Sequence, residues 1–197
     1  EALRLKPALH DIQNNLALVL GAASRLDEAE PLFRQAAARE PRDPVLRANH
    51  AGMLKDLGRL DEAETDYRTA LRLDPGNAIV HYNLGILLLL AGRLTEGFSE
   101  YAWRFAAGAV TDRKFAQPAW AGGALDGKTL LVHAEQGLGD TIQMARYLAL
   151  LPTDGTVVLE VPRALVRLLT GIPRIRIVQP GDRLPPFDMH CPIMGLP

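Results

Sequence analysis

Apolar and small residues recur at helical spacing over the first hundred or so positions, and the whole pattern restarts every 34 residues. Arg25-Leu26-Asp27-Glu28-Ala29-Glu30 is followed by Arg59-Leu60-Asp61-Glu62-Ala63-Glu64, then by Arg93-Leu94-Thr95-Glu96-Gly97. Asn15, Asn49 and Asn83 share the period, as do Phe33, Tyr67 and Tyr101, and Pro7, Pro41 and Pro75 punctuate it. Each unit (about 8–41, 42–75 and 76–109) predicts a helix A, a tight turn and a helix B. In the second unit these fall near Val45–Leu57 and Leu60–Leu73. Gly58 and Gly92 stand at the A-to-B turn, where a residue past a helix end often needs positive φ; Ser24 replaces them in the first unit. Glu40-Pro41 and Asp74-Pro75 stop helix B, because proline cannot continue a helix and disfavours helical geometry in the residue before it. Ala17, Ala51 and Gly85, with Ala29 and Ala63 from helix B, predict close helix–helix approach, and Phe33, Tyr67 and Tyr101 fill the space between units. The third unit departs: Gly97 and Arg104 replace alanines and no proline closes its helix B, which predicts a transition segment with Trp103 and Phe105 over its apolar end.

A 34-residue period of paired helices resembles the tetratricopeptide (TPR) repeat, which implies a solenoid holding another polypeptide on the face lined by its A helices. The asparagines of the 15/49/83 register sit on helix A. An amide that both donates and accepts can hold an extended peptide backbone with little regard to its side chains. The row resembles the asparagine ladder in the TPR half of O-linked N-acetylglucosamine transferases. The alternative is that each asparagine braces adjacent repeats.

From about residue 106 the helical period is lost. Pro118, two glycines and Asp126-Gly127 mark turns, so 110–127 reads as a packed linker with Trp120 as its anchor. Beyond it the period changes. Lys128–Ala134, Gly155–Val161 and Arg174–Val178 read as apolar strands, with Phe187–Ile193 as a fourth; Thr141–Leu151 and Pro162–Thr170 read as helices. Strands alternating with helices predict a parallel sheet with crossover helices, here a partial Rossmann-like α/β domain over 128–197. Ligands of such folds bind at the carboxyl ends of the strands, where Glu135, Gln136, Gly137, Gly139 and Asp140 fall, with His133 just before them and Gln143 in the following helix. As a dinucleotide fingerprint the loop is poor, because the third glycine would fall at Ile142; Glu160 stands where an acid could meet a ribose.

The stretch from Trp120 to Gln143, with Arg146-Tyr147 after it and Phe187–Pro197 further on, resembles bacterial TPR proteins whose C-terminal part is similar to two-domain (GT-B) glycosyltransferases. That group includes O-linked N-acetylglucosamine transferases and lipopolysaccharide heptosyltransferases. Gly195 stands where serine is expected. The resemblance implies that Asp140 is a general base on an acceptor hydroxyl, with His133, Glu135, Gln136, Gly137, Gly139 and Gln143 lining the substrate cleft and a nucleotide sugar as donor. The competing reading of Asp140 is a helix N-cap, and of His133 a satisfied structural residue. The donor half of such an enzyme has no counterpart before Pro197, so no cofactor site is expected in this chain, and the second domain is expected to be incomplete.

Composition narrows the classes. With 22 Lys and Arg against 23 Asp and Glu, the chain is no polycation, which argues against nucleic-acid binding by bulk electrostatics. One cysteine, Cys191, excludes a disulfide framework and a thiolate zinc cluster; it and His190 are assigned to packing. The longest apolar run, Ile86–Ala91, is too short for a membrane span. A cytoplasmic location is expected. Three readings stay open: TPR-mediated protein binding coupled to a glycosyltransferase, a non-catalytic interaction scaffold, and a nucleotide- or dinucleotide-binding domain.

Overall fold

The computed structural model describes residues 10–197; Pro7 and the start of the first unit lie outside the described residues. The chain divides after Ala109 into two compact units.

The first unit is built from α1 (His10–Ala22), α2 (Leu26–Arg39), α3 (Pro44–Asp56), α4 (Leu60–Leu73), α5 (Ala78–Leu90) and α6 (Leu94–Tyr101), closed by a 3-10 turn at Ala102–Arg104. The start of α3 is fixed by Asp43, whose carboxylate accepts the Val45 and Leu46 amides at 2.8 and 3.2 Å, with Pro44 at the first helical position. Proline's missing N–H is harmless there. Asn77 caps α5 in the same way, accepting from Val80. All three A helices end alike. Gly58 and Gly92 adopt φ of 75° and 77°, and Ser24 is forced to 59°. The next amide then reaches back five residues, Arg25 to Leu20, Arg59 to Leu54 and Arg93 to Leu88, each at 2.9 Å. This is the Schellman closure.

The signature small residues are fully buried: Ala17, Ala51, Ala29 and Ala63. Phe33 and Tyr67 are buried between them. Where α5 crosses α6, even alanine is too large. A Cβ on Gly85 would lie 2.6 Å from the Tyr101 backbone nitrogen. An ion-pair ladder runs along the B helices: Arg59 bridges Glu62 in its own unit and Glu30 in the unit before, and Arg93 does the same with Glu96 and Glu64. Below it a buried chain links Arg47 to Asp66 and Asp66 to His50, the last at 2.5 Å. The last repeat ends without proline. Arg104 is buried against the Tyr101 and Phe105 rings, and Trp103 stacks on His81 at 4.2 Å.

The second unit is a four-stranded sheet of order β3-β2-β1-β4, from β1 (Thr129–His133), β2 (Thr156–Glu160), β3 (Ile175–Val178) and β4 (Met189–Pro192). All pairings are parallel, with His133 opposite both Glu160 and Pro192. The crossovers contain α7 (Leu138–Met144), a 3-10 segment at Ala145–Leu150 and α8 (Arg163–Leu169). The predicted helix over Thr141–Leu151 therefore tightens after Met144. Apolar spacing over so few turns does not separate 3.6 from 3.0 residues per turn. The steps from β1 to β2 to β3 run one way across the sheet, so right-handed connection places α7 and α8 on one face. The return from β3 to β4 has no helix. Its Leu184 and Phe187 join Phe115 against Leu131, Val158 and Val178 on the sheet. Residues 110–127, read from sequence as a linker, belong to this unit: Ala119 bridges to His190, the Trp120 amide donates to His190, and Leu125 is fully buried. Asp154 clasps the turn by accepting the Leu125 and Asp126 amides.

Candidate functional site

The face formed by α1, α3 and α5 carries a cavity of about 240 Å³. Asn49 and Asn83 line it, beside Leu18, Ala48 and Gly52, with Tyr67 behind them. Asn15 is exposed one repeat earlier and does not line the cavity. Asn49 has a second engagement. Its amide donates to Asn14 across the unit boundary at 2.9 Å, so a residue that lines the cavity also braces adjacent repeats. Sequence reasoning missed Asn14 because it stands one position off the period. Burial pushes the Tyr67 phenol above its ordinary value, and the Asp56 carboxylate adds to the effect.

The second unit assembles the other predicted residues around the carboxyl ends of β1 and β4. Glu135 ties the two exits together by accepting the Met194 amide at 3.2 Å. Gly137 is the N-cap residue of α7, and Asp140 stands at the third helical position, accepting the Gly137 amide at 3.1 Å. Asp140 thus stabilises the helix start from inside the first turn rather than from the cap itself. Gly139 and Gln143 are exposed, and Gln136 and Asp140 are half-buried. His133 is buried, its ring 5.4 Å from Phe115 and 5.7 Å from His190. Burial holds the His190 imidazole below its ordinary value; Asp112 opposes the effect and Arg113 reinforces it. Glu160 is buried and ion-paired to Arg113, so the carboxylate that a ribose would need is already engaged. Arg113, from the segment before the sheet, belongs to no motif that would single it out.

Two family models match the chain: TPR repeat over residues 53–92 and tetratricopeptide repeat over residues 11–39. The first unit is a tetratricopeptide-repeat solenoid. Among solved structures, the chain is similar to the first TPR of Spaghetti (RPAP3) bound to an HSP90 peptide, at 18% identity and a TM-score of 0.48, covering 53% of this chain and 82% of that one. It is similar to the Sgt2 TPR domain from Aspergillus fumigatus at 20% identity and a TM-score of 0.48, covering 52% and 68%. A tetratricopeptide repeat protein from Parabacteroides merdae gives 22% identity and 0.48, covering 55% of this chain and 43% of that one. No curated protein matches the chain. Among the described residues, no helix is long and apolar enough to cross a membrane.

Proposed function

We propose that the TPR unit binds a segment of another polypeptide on the face of α1, α3 and α5. The observation that carries this reading is the cavity in which Asn49 and Asn83, 34 residues apart, present amides on successive A helices. One asparagine amide per repeat, with its donor and acceptor, suits the regular donors and acceptors of an extended backbone. Each hydrogen bond of this kind contributes about 0.5–1.5 kcal/mol net. Replacing both Asn49 and Asn83 with alanine should therefore weaken a bound peptide roughly 5- to 150-fold. Unchanged affinity with a lowered melting temperature would make the ladder a brace between repeats.

A second reading concerns the sheet. Strand order β3-β2-β1-β4 is that of the front half of a doubly wound, Rossmann-like domain, whose ligands sit where the order reverses. That point lies between β1 and β4, beside Glu135, Gln136 and Asp140. In the glycosyltransferase reading this half presents an acceptor hydroxyl to a nucleotide sugar. Asp140 takes the hydroxyl proton as the oxygen attacks the sugar carbon and the nucleotide leaves. Assay of sugar transfer by the intact protein, wild type beside Asp140→Asn, tests it; equal rates remove Asp140 from the mechanism.

A further inference from the structure

We infer that the outer face of α1 receives helix B of a further tetratricopeptide unit, lying ahead of α1 in the same polypeptide. This goes beyond the peptide-binding reading and does not rest on it. The solenoid buries one register twice and leaves it bare once. Leu46, His50 and Met53 on α3 are buried, and so are Val80, Leu84 and Leu87 at the same positions of α5. Ile12, Leu16 and Val19 hold those positions on α1 and are 38%, 41% and 65% exposed. At the two buried interfaces the cover is helix B of the unit before. Met53 shares a core with Ala29 and Phe33 of α2, and Val80, Leu84 and Leu87 share one with Ala63, Tyr67 and Ala70 of α4. A terminal unit of a solenoid needs a polar outer face to stay soluble. Instead, α1 presents the apolar face of an internal unit.

The charges between units identify the occupant. Arg59 holds Glu62 of its own unit through Nε and Nη2, and gives Nη1 to Glu30 of the unit before at 3.2 Å. Arg93 likewise gives Nη1 to Glu64 at 2.7 Å. Arg25 holds Glu28 through the same Nε and Nη2, but among the described residues its Nη1 meets no carboxylate. The matching helix therefore carries a glutamate for Arg25, with an aromatic residue three positions later and a small one three beyond that, as Glu30, Phe33 and Ala36 do. A second copy stacked head to tail fits poorly. In α6 and the turn after it, Phe98 and Arg104 stand where the other B helices have the glutamate and the alanine. The sequence ahead of α1 carries the ending of the required helix. Ala2-Leu3-Arg4-Leu5 before Pro7 repeats Ala70-Leu71-Arg72-Leu73 before Pro75, and α1 starts five residues after Leu5, as α5 does after Leu73.

Extending the intact chain in register tests this. A copy of residues 42–75 in place of residues 1–7 sets the helix-B surface of α4 ahead of α1. Amide hydrogen exchange by mass spectrometry then reads α1 in the original and extended chains, each as wild type, Val19→Asp and Arg25→Ala. Covering Ile12, Leu16 and Val19 should slow exchange across α1 at least about tenfold in the extended chain. Val19→Asp should leave the melting temperature of the original chain within about 4 °C, because the site is exposed there, yet return α1 of the extended chain to fast exchange. Arg25→Ala should remove roughly two- to fivefold of the added protection. Exchange of α1 unchanged by the extension, or an added unit that melts apart from the rest, overturns the inference. So does concentration-dependent dimerisation of the original chain in sedimentation velocity that Val19→Asp abolishes, since the face would then belong to a second copy. Either result leaves the groove reading of Asn49 and Asn83 standing.

Discussion

Alanine at Gly85 adds one methyl group where α5 and α6 meet backbone to backbone. Its Cβ would sit 2.6 Å from the Tyr101 nitrogen and 2.9 Å from both the Glu100 carbonyl carbon and the Tyr101 Cα. None of these atoms can rotate aside as a side-chain tip could, so the helices must separate by several tenths of an ångström along their contact. Overpacking of this sort costs about 1–3 kcal/mol, and the immobility of the obstacle puts Gly85 at the upper end. Helix propensity returns at most about 1 kcal/mol of that. The net loss of about 2 kcal/mol lowers the melting temperature of a unit this size by roughly 8–16 °C. Gly52→Ala is the internal control, because the same substitution in α3 meets nothing closer than 3.6 Å. It keeps only the propensity gain of about 0.5–1 kcal/mol and should melt a few degrees higher. Thermal unfolding of both variants by far-ultraviolet circular dichroism checks the pair. A Gly85→Ala protein as stable as Gly52→Ala would refute the close-approach reasoning.

Three further outcomes follow from named contacts. Asp43→Ala removes the cap that holds the Val45 and Leu46 amides and should destabilise the TPR unit by about 1 kcal/mol in urea unfolding, with Asp43→Asn nearly neutral. The Glu96 carboxyl is held below its ordinary value by Arg68 and then Arg93. Its stabilisation is therefore complete above the unfolded carboxylate value and lost as pH falls through the lower folded one. Arg93→Ala should flatten that acid-side loss at low salt, and the two proteins should converge in molar salt. His190, depressed by burial, should titrate below 6.5 by NMR. Its contribution to the second unit is complete above that value and lost as pH falls through the folded one.

The repeat architecture was legible because each rule was written two or three times at one spacing. Turn glycines, buried alanines and the aromatic between helices recur at one spacing, and the backbone follows them. The central strands β1 and β2 were legible as unbroken apolar runs, since strands buried on both faces need no alternation; β3 and β4, less buried, were marked by the turns around them. What escaped the sequence depends on distance rather than period. The Asn14–Asn49 brace links residues 35 apart, one of them out of register. Glu160 and its partner Arg113 are 47 apart, and the arginine comes from a segment that reads as linker. Gly52 reads in one dimension as a weak point in a helix; only beside Leu18, Asn83 and Tyr67 does it become the floor of a cavity. Asp140 was read as the cap of a helix from Thr141; the helix starts at Leu138 with Gly137 as the cap and Asp140 in its first turn, which only the backbone could show.

The central claim is that the face of α1, α3 and α5 holds an extended polypeptide through Asn49 and Asn83. The most direct measurement is calorimetric titration of the intact protein with an extended peptide selected for binding to the wild type, wild type beside Asn49→Ala/Asn83→Ala. Melting curves of both proteins should accompany it. A roughly 5- to 150-fold loss of affinity with both proteins folded is the predicted result. Equal affinity, with the variant merely less stable, would contradict it and leave the asparagines as struts between repeats.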